Sequence, residues 1–168
     1  MAGIDPSLTA TGVAWPDGKL HTIKTKSSDK DWRLVEINDV IENGVIHDPI
    51  SLVIMEDLPR NAMHAGITGM VQGVIRKILQ QACIPYALVV PSTLKKAATG
   101  DGRADKKKML EFYTKATGLV NKDDNQVDAY WLRQVGLALT GQEHHLTDTS
   151  TLGKVKEPGG ITWSLKSF

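Results

Sequence analysis

Apolar positions along this chain alternate in its first part and recur at helical spacing later, and the change in period divides it into elements. Ala2 to Ile4 is a short apolar entry that ends at Asp5, and Thr11 to Trp15 continues as a second strand. Pro16-Asp17-Gly18 marks a tight turn, after which Leu20 to Thr25 reads as a third strand. Trp32, Val35, Ile37, Val40, Ile41 and Val45 then follow a roughly helical period, with Ser27, Ser28 and Asp29 ahead of them as capping residues. Leu52 to Glu56 is short and apolar and follows a proline turn, the signature of a buried strand.

The longest helical pattern runs from Ala62 to Cys83, with Met63, Ile67, Met70, Val74 and Ile78 on one stripe and Gly66, Gly69 and Gly73 beside it. Three glycines weaken a helix, so their presence predicts close approach by another element, either the protein's own sheet or a second copy of the chain. Tyr86 to Val90 reads as another buried strand. Lys95 to Ala98 makes a short helical turn, Gly100-Asp101-Gly102 a flexible joint, and Ala104 to Thr117 a longer helix. Asp124 to Thr140 is the last clear helix, apolar along Val127, Tyr130, Trp131, Val135 and Leu139. Beyond Gly141 the pattern dissolves into a polar tail, which closes with a short strand at Ile161 to Leu165. The expected organisation is one α/β domain over residues 1–142, built on a mixed sheet, and a tail over residues 143–168.

Composition adds little to this. A chain of 168 residues, 41% hydrophobic and 23% charged, suits one soluble domain with a real core. A net charge of +1 does not declare a nucleic-acid binder, so that question turns on where the charges lie. Cys83 stands alone, which excludes an intramolecular disulfide and fits a reducing compartment; packing is the expected role for it. No membrane-length apolar run and no signal-peptide pattern are present, so a cytoplasmic protein is expected.

Four acids change the picture. Asp5 and Glu56 end apolar strands, and Asp124 and Asp128 are spaced i,i+4 on one face of the last helix. Carboxylates gathered in one cleft repel one another, and divalent cations with a preference for hard oxygen donors resolve that repulsion. The arrangement points to metal-dependent phosphoryl transfer if the fold brings the four together. Each acid also has a structural reading, Asp5 as a turn residue before Pro6 and Asp124 as a first-turn charge. Asp123, with Gln126 three residues on, has the form of a capping box and reads as an N-cap.

In their order and spacing, GIDPSLTATGVA, LVIMED, PSTLKKAATGDGRADKKK and DDNQVDAYWL resemble the RuvC-type Holliday junction resolvases, particularly their phage-encoded relatives, over roughly residues 1–140. The resemblance implies a ribonuclease H-like fold with a five-stranded mixed sheet flanked by helices. It also implies two Mg²⁺ or Mn²⁺ ions per active site, and a homodimer that nicks two strands of a four-way DNA junction in the cytoplasm of a bacterial host. By position, Asp5 matches the acid that bridges both ions, Glu56 the acid ending the fourth strand, and Asp128 the final helical acid. Where the family carries its other helical ligand this chain has Asn125; either Asp124, one residue earlier, is the substitute, or Asn125 binds weakly through its amide oxygen. An aromatic that some members carry shortly after the strand acid is missing from Asp57-Leu58-Pro59-Arg60.

The segment from Lys95 to Lys108 holds six bases (Lys95, Lys96, Arg103, Lys106, Lys107 and Lys108) against two acids. The resemblance implies that Lys95 and Lys106 contact DNA phosphates; alone, such a run is a solvated face. His64, His144 and His145 are expected to be surface residues. Rival readings are a nuclease of the same fold acting on flaps or RNA–DNA hybrids, a catalytically inactive junction-binding protein with Asn125 in a ligand's place, and an actin-like ATPase. The last needs glycine where this chain has Ser7, and a second domain.

Overall fold

In the computed structural model, which describes residues 1–58 and 65–157, the N-terminal alternation folds as a meander of three antiparallel strands, β1 (Ala2–Asp5), β2 (Ala10–Ala14) and β3 (Leu20–Lys24). Gly18, at φ 90°, supplies the left-handed residue of the tight turn. After helix α1 (Trp32–His47), strand β4 (Val53–Glu56) runs parallel to β1 with Ile4 opposite Met55, so the next register step sets Asp5 beside Glu56. Helix α2 (Ala65–Gln81) leads to β5 (Tyr86–Val89), which pairs in parallel with β4. Three helices complete the domain: α3 (Pro91–Thr99), α4 (Lys106–Thr117) and α5 (Asp124–Leu139). The sheet is five-stranded and mixed, in the order β3-β2-β1-β4-β5.

Strand alternation divides the core between the two faces of this sheet. Ile4, Val13, Met55 and Leu88 face α1 and α2 and pack with Ile37, Ile41, Val71 and Ile75. Ile54, Ala87 and Val89 face the other way, onto Leu94 of α3, Met109 of α4 and Val127, Trp131 and Val135 of α5. Asp5 and Glu56 share the parity of Gly3 and Ile54, so both project toward the α5 side. Glycine settles how close α5 comes. A Cβ on Gly3 would stand 2.1 Å from the carbonyl oxygen of Ala129, and one on Gly12 would stand 2.0 Å from that of Asn125. The helix therefore rests directly on the backbones of β1 and β2.

Several sequence expectations change here. Among the described residues the glycines of α2 do not bring the protein's own elements close: a Cβ on Gly66 or Gly73 would meet none of them within 4 Å, and one on Gly69 would meet Leu58 at an ordinary 3.4 Å, which leaves the second-copy alternative. Cys83 is exposed rather than packed, because the helix has already ended at Gln81 and Cys83 takes a left-handed turn position at φ 55°. The turn expected at Lys95 is a nine-residue helix that starts at Pro91, whose fixed φ and missing N–H suit the first helical position. Ser27 to Asp29 form a 3₁₀ turn, and Asp31 at the start of α1 makes no side-chain capping bond.

The segment after α5 straps back across the domain. The amides of Thr147 and Asp148 donate to the carbonyl of Ala97 (2.8 and 3.1 Å), and the Thr147 hydroxyl donates to that of Ala98 (2.8 Å). These bonds satisfy carbonyls that the end of α3 would leave without partners. Leu146, Leu152 and Val155 pack on the α5-side core. Lys156 then exchanges backbone hydrogen bonds with Leu88 (2.7 and 3.0 Å), covering the free edge of β5. Its ammonium reaches Asp57 at 2.7 Å. The strand expected at Ile161 to Leu165, like His64, lies outside the described residues. Among the described residues no helix is long and apolar enough to cross a membrane.

Candidate active site

Asp5 reaches its place because β1 is the central strand and ends there; Glu56 does the same one strand over on β4. Asp124 and Asp128 stand one helical turn apart on α5, and the start of that helix is tightly held. Asp123 caps it, accepting from the amides of Asn125 (3.1 Å) and Gln126 (3.4 Å), while the Thr22 hydroxyl of β3 donates to the other Asp123 oxygen at 2.8 Å. Half of the expected capping box forms. The Gln126 side chain accepts from Asn121 (2.9 Å) instead of reaching back to the cap amide, whose partner is the Asn121 side chain (2.9 Å).

Glu56, Asp124 and Asp128 line one cleft with Lys95, Lys106, Pro91, Met109, Leu110 and Val127, and Asp5 interacts with the same three acids. Burial, followed by the charge of Asp128, raises the Asp5 carboxyl to about 7. Burial and then the charge of Asp5 push Glu56 upward as well. Asp128 is raised to about 6 by burial and by the charge of Asp124, against the pull of Lys95 and Lys106. Lys106 sits on Asp124 in a direct ion pair and bond, which raises the lysine's own pKa.

Two things ease this crowding of negative charge: three carboxyls whose affinity for protons is raised, and the Lys106 ammonium on Asp124. Among the described residues no three acidic, histidine or cysteine side chains are posed to grasp one ion. In chemistry, the donor set still fits a divalent metal well: three carboxylates line one cleft and a fourth interacts with them, and burial and mutual repulsion hold three of the four above their ordinary range.

Asn125 is not among the acids. Its amide nitrogen bonds Asp123 at 3.1 Å, and it lines a neighbouring hollow with Lys24 and Lys122. Asp124, which the sequence offered as its substitute, is the residue that faces the cleft. The six bases separate. Lys95 and Lys106 stand with the acids, whereas Lys96 turns to Asp148 of the strap at 3.7 Å. Arg103, Lys107 and Lys108 line an adjoining groove with Lys115, and Lys108 is tied to Asp101 at 2.9 Å. Lys24, Lys115 and Lys122 went unremarked in the sequence because each is remote from the dense basic run; their places on β3, α4 and the loop before α5 bring them to these hollows. His145 does more than sit at the surface, since its ring bonds the Tyr130 hydroxyl.

A five-stranded mixed sheet with acids at the ends of two neighbouring parallel strands, and more acids on a helix laid across them, defines a ribonuclease H-like protein. Solved structures agree: the chain superposes on Thermus thermophilus RuvC bound to a Holliday junction substrate with TM-score 0.66, at 21% identity, over 78% of this chain and 88% of that one. A second Thermus thermophilus RuvC structure gives TM-score 0.64 over 84% of this chain and 96% of that one. No protein-family model matches. Among curated proteins, the crossover junction endodeoxyribonuclease RuvC of Rickettsia prowazekii is 29% identical over 138 residues, covering 74% of this chain and 88% of that protein. The Corynebacterium diphtheriae RuvC is 28% identical across 70% of this chain and 80% of its own length. The Gloeobacter violaceus RuvC reaches 39% identity, but over 77 residues, which is 42% of that protein. Within that fold, the proteins to which the chain is similar in sequence are RuvC-type crossover junction endodeoxyribonucleases.

Proposed function

We propose that the protein is a metal-dependent endonuclease that resolves four-way DNA junctions, acting as a homodimer in the bacterial cytoplasm. The observation that carries this reading is the convergence of Asp5, Glu56, Asp124 and Asp128 on one cleft that also holds Lys95 and Lys106. Asp5, Glu56, Asp124 and Asp128 are the residues that would hold two Mg²⁺ ions, or Mn²⁺ in their place. When bound, such ions supply Lewis-acid stabilisation of the phosphoryl oxygens and acidify water enough for attack at neutral pH.

The chain's own residues prepare for this. For the four carboxylates to act together as oxygen donors, Asp5, Glu56 and Asp128, all raised, would be deprotonated and Asp124 would part from Lys106. Lys106 is then free to hold a DNA phosphate, with Lys95 in the same cleft. Arg103, Lys107 and Lys108, with Lys96 at the strap, extend this positive surface along the strand. Each phosphate neutralised adds about 0.9 to the salt slope of binding to duplex DNA. No covalent intermediate is invoked, since attack by water is in line with the departing oxygen.

The reading is tested by presenting labelled four-way junction, matched duplex, flap and RNA–DNA hybrid side by side in Mg²⁺. Incision confined to the junction supports it. Equal cutting of flaps or hybrids would make the protein a broader nuclease of the same chemistry, and binding without cutting would leave a junction-binding protein.

For the homodimer the support lies on α2, where Ile67 and Met70 are about half exposed and Gly66 and Gly73 leave open space beside them. Met70→Glu is expected to halve the mass measured by light scattering while leaving the far-ultraviolet circular dichroism unchanged. An unaltered mass would move the contact elsewhere.

A further inference from the structure

Hydrolysis of a phosphodiester requires polar groups, yet the acid cleft is walled in large part by Pro91, Met109, Leu110 and Val127. The apolar surface does not end there. Leu110 also lines a second, shallow hollow, which it shares with Val120, Lys107 and Lys115. Next to Val120 stands Leu119, and the two are 77% and 63% exposed. Single exposed aliphatics are common on protein surfaces; two in succession on a tightly held loop are a different matter. Gly118, at φ 72°, closes α4, the Leu119 amide donates to the Thr117 hydroxyl (3.1 Å), and Asn121 is fixed by bonds to Gln126 and Asp123 (both 2.9 Å). The loop is thus built to present these side chains rather than to bury them.

The surroundings indicate what they meet. Lys107 and Lys115 flank the hollow on one side, and Lys122 lies just beyond the tip with Lys24 near it on the other. Four lysines outnumber the acids of these hollows, Glu111 in the first and Asp123 and Asp124 in the second, and cations around an apolar shelf continuous with a cleft for a phosphate match a nucleotide: charge at the backbone and an apolar face at the base. Proteins commonly wedge aliphatic side chains against bases whose stacking is broken.

We infer that Leu110, Leu119 and Val120 form a shelf for an unstacked nucleobase of the DNA strand whose phosphate lies at the acids, and that this contact sets which junction sequences are cut. The inference rests on the proposed nuclease reading. Bases at the centre of a branched junction lose a stacking neighbour, so they cost less to displace than bases within a duplex. The shelf therefore favours the branch point without any hydrogen-bonded readout.

The test uses the full-length protein and a four-way junction carrying 2-aminopurine at its centre, with Ca²⁺ in place of Mg²⁺ for binding and Mg²⁺ for cutting. Wild-type protein is expected to raise the 2-aminopurine fluorescence on binding. The exposed-site double variant Leu119→Ser with Val120→Ser is expected to keep its melting temperature, lose that rise, and spread its cuts over more sequences. Ile46→Ser, another exposed aliphatic on α1, serves as the matched control and should behave as wild type. Ordinary cutting with the same fluorescence rise and cut pattern in the double variant would overturn the shelf alone. A change of molecular mass in that variant, with fluorescence unchanged, would also overturn it and make the tip a contact between copies. Wild-type protein that neither binds nor cuts the junction would overturn the nuclease reading itself.

Discussion

Asp5→Asn is expected to abolish cleavage and, at the same time, to stabilise the metal-free protein. Asp5 sits on the central strand and interacts with the other three acids. Removing its charge takes away the largest charge contribution to the raised pKa of Glu56. It also removes the donor placed between the strand and helix acids. A loss of about 4 kcal/mol of transition-state stabilisation corresponds to roughly 10³-fold in rate. In the opposite direction, relief of buried repulsion should stabilise the metal-free protein by about 1–2 kcal/mol at pH 8, some 2–4 °C per kcal/mol for a chain of this size. Junction binding should persist, because Lys95 and Lys106 remain. A variant that loses both cutting and stability would argue that Asp5 is a structural turn residue; a variant that still cuts would remove it from the chemistry.

The second large effect is on stability against pH, and metal should reverse it. Asp128 at about 6 and Asp5 at about 7 both lie above the ordinary carboxylate range near 4 that the unfolded chain adopts. Between those values the folded state binds more protons than the unfolded one, so stability falls as pH rises. The stabilising contribution is whole below about pH 4 and is lost through pH 6 and 7, with Glu56, held higher, extending the decline. Other carboxylates on the surface are depressed by their partners, Asp17 by Lys19 and Asp101 by Lys108, and act in the opposite sense at more acidic pH. Metal-free protein should therefore melt at a lower temperature at pH 8 than at pH 5.5. Saturating Mg²⁺ or Mn²⁺ at pH 8 should restore it, by about 2.7 kcal/mol at a hundredfold excess over Kd. A melting temperature indifferent to both pH and metal would mean that the acids do not form one cluster.

Much of this was legible in the sequence, and the parts that were not share a cause. Strand ends at Asp5 and Glu56 were readable because apolar runs of period two stop there, and the i,i+4 pair on α5 because helical spacing fixes a shared face. What local pattern cannot supply is contact between distant segments. The glycines that matter for approach are Gly3 and Gly12, ordinary strand residues by pattern, whereas the conspicuous Gly66, Gly69 and Gly73 face space or a single side chain. The Lys106–Asp124 pair joins α4 to α5, and only the packing of those helices brings the two side chains together. The strap that caps α3 and covers β5 lies in a polar stretch without periodicity, so its hydrogen bonds to Ala97, Ala98 and Leu88 left no trace in the pattern. Asn125 was ambiguous for the same reason: its neighbour Asp123 engages it as part of the cap, leaving Asp124 to face the acids.

The most direct test of the central claim is incision of a supercoiled plasmid bearing a cruciform, in Mg²⁺ and in chelator. A dimeric junction resolvase built on these four acids cuts two strands within one encounter, so the account predicts linear DNA in Mg²⁺, none in chelator, and none with Asp5→Asn. Nicked circles alone, or cutting that survives chelation, would contradict it.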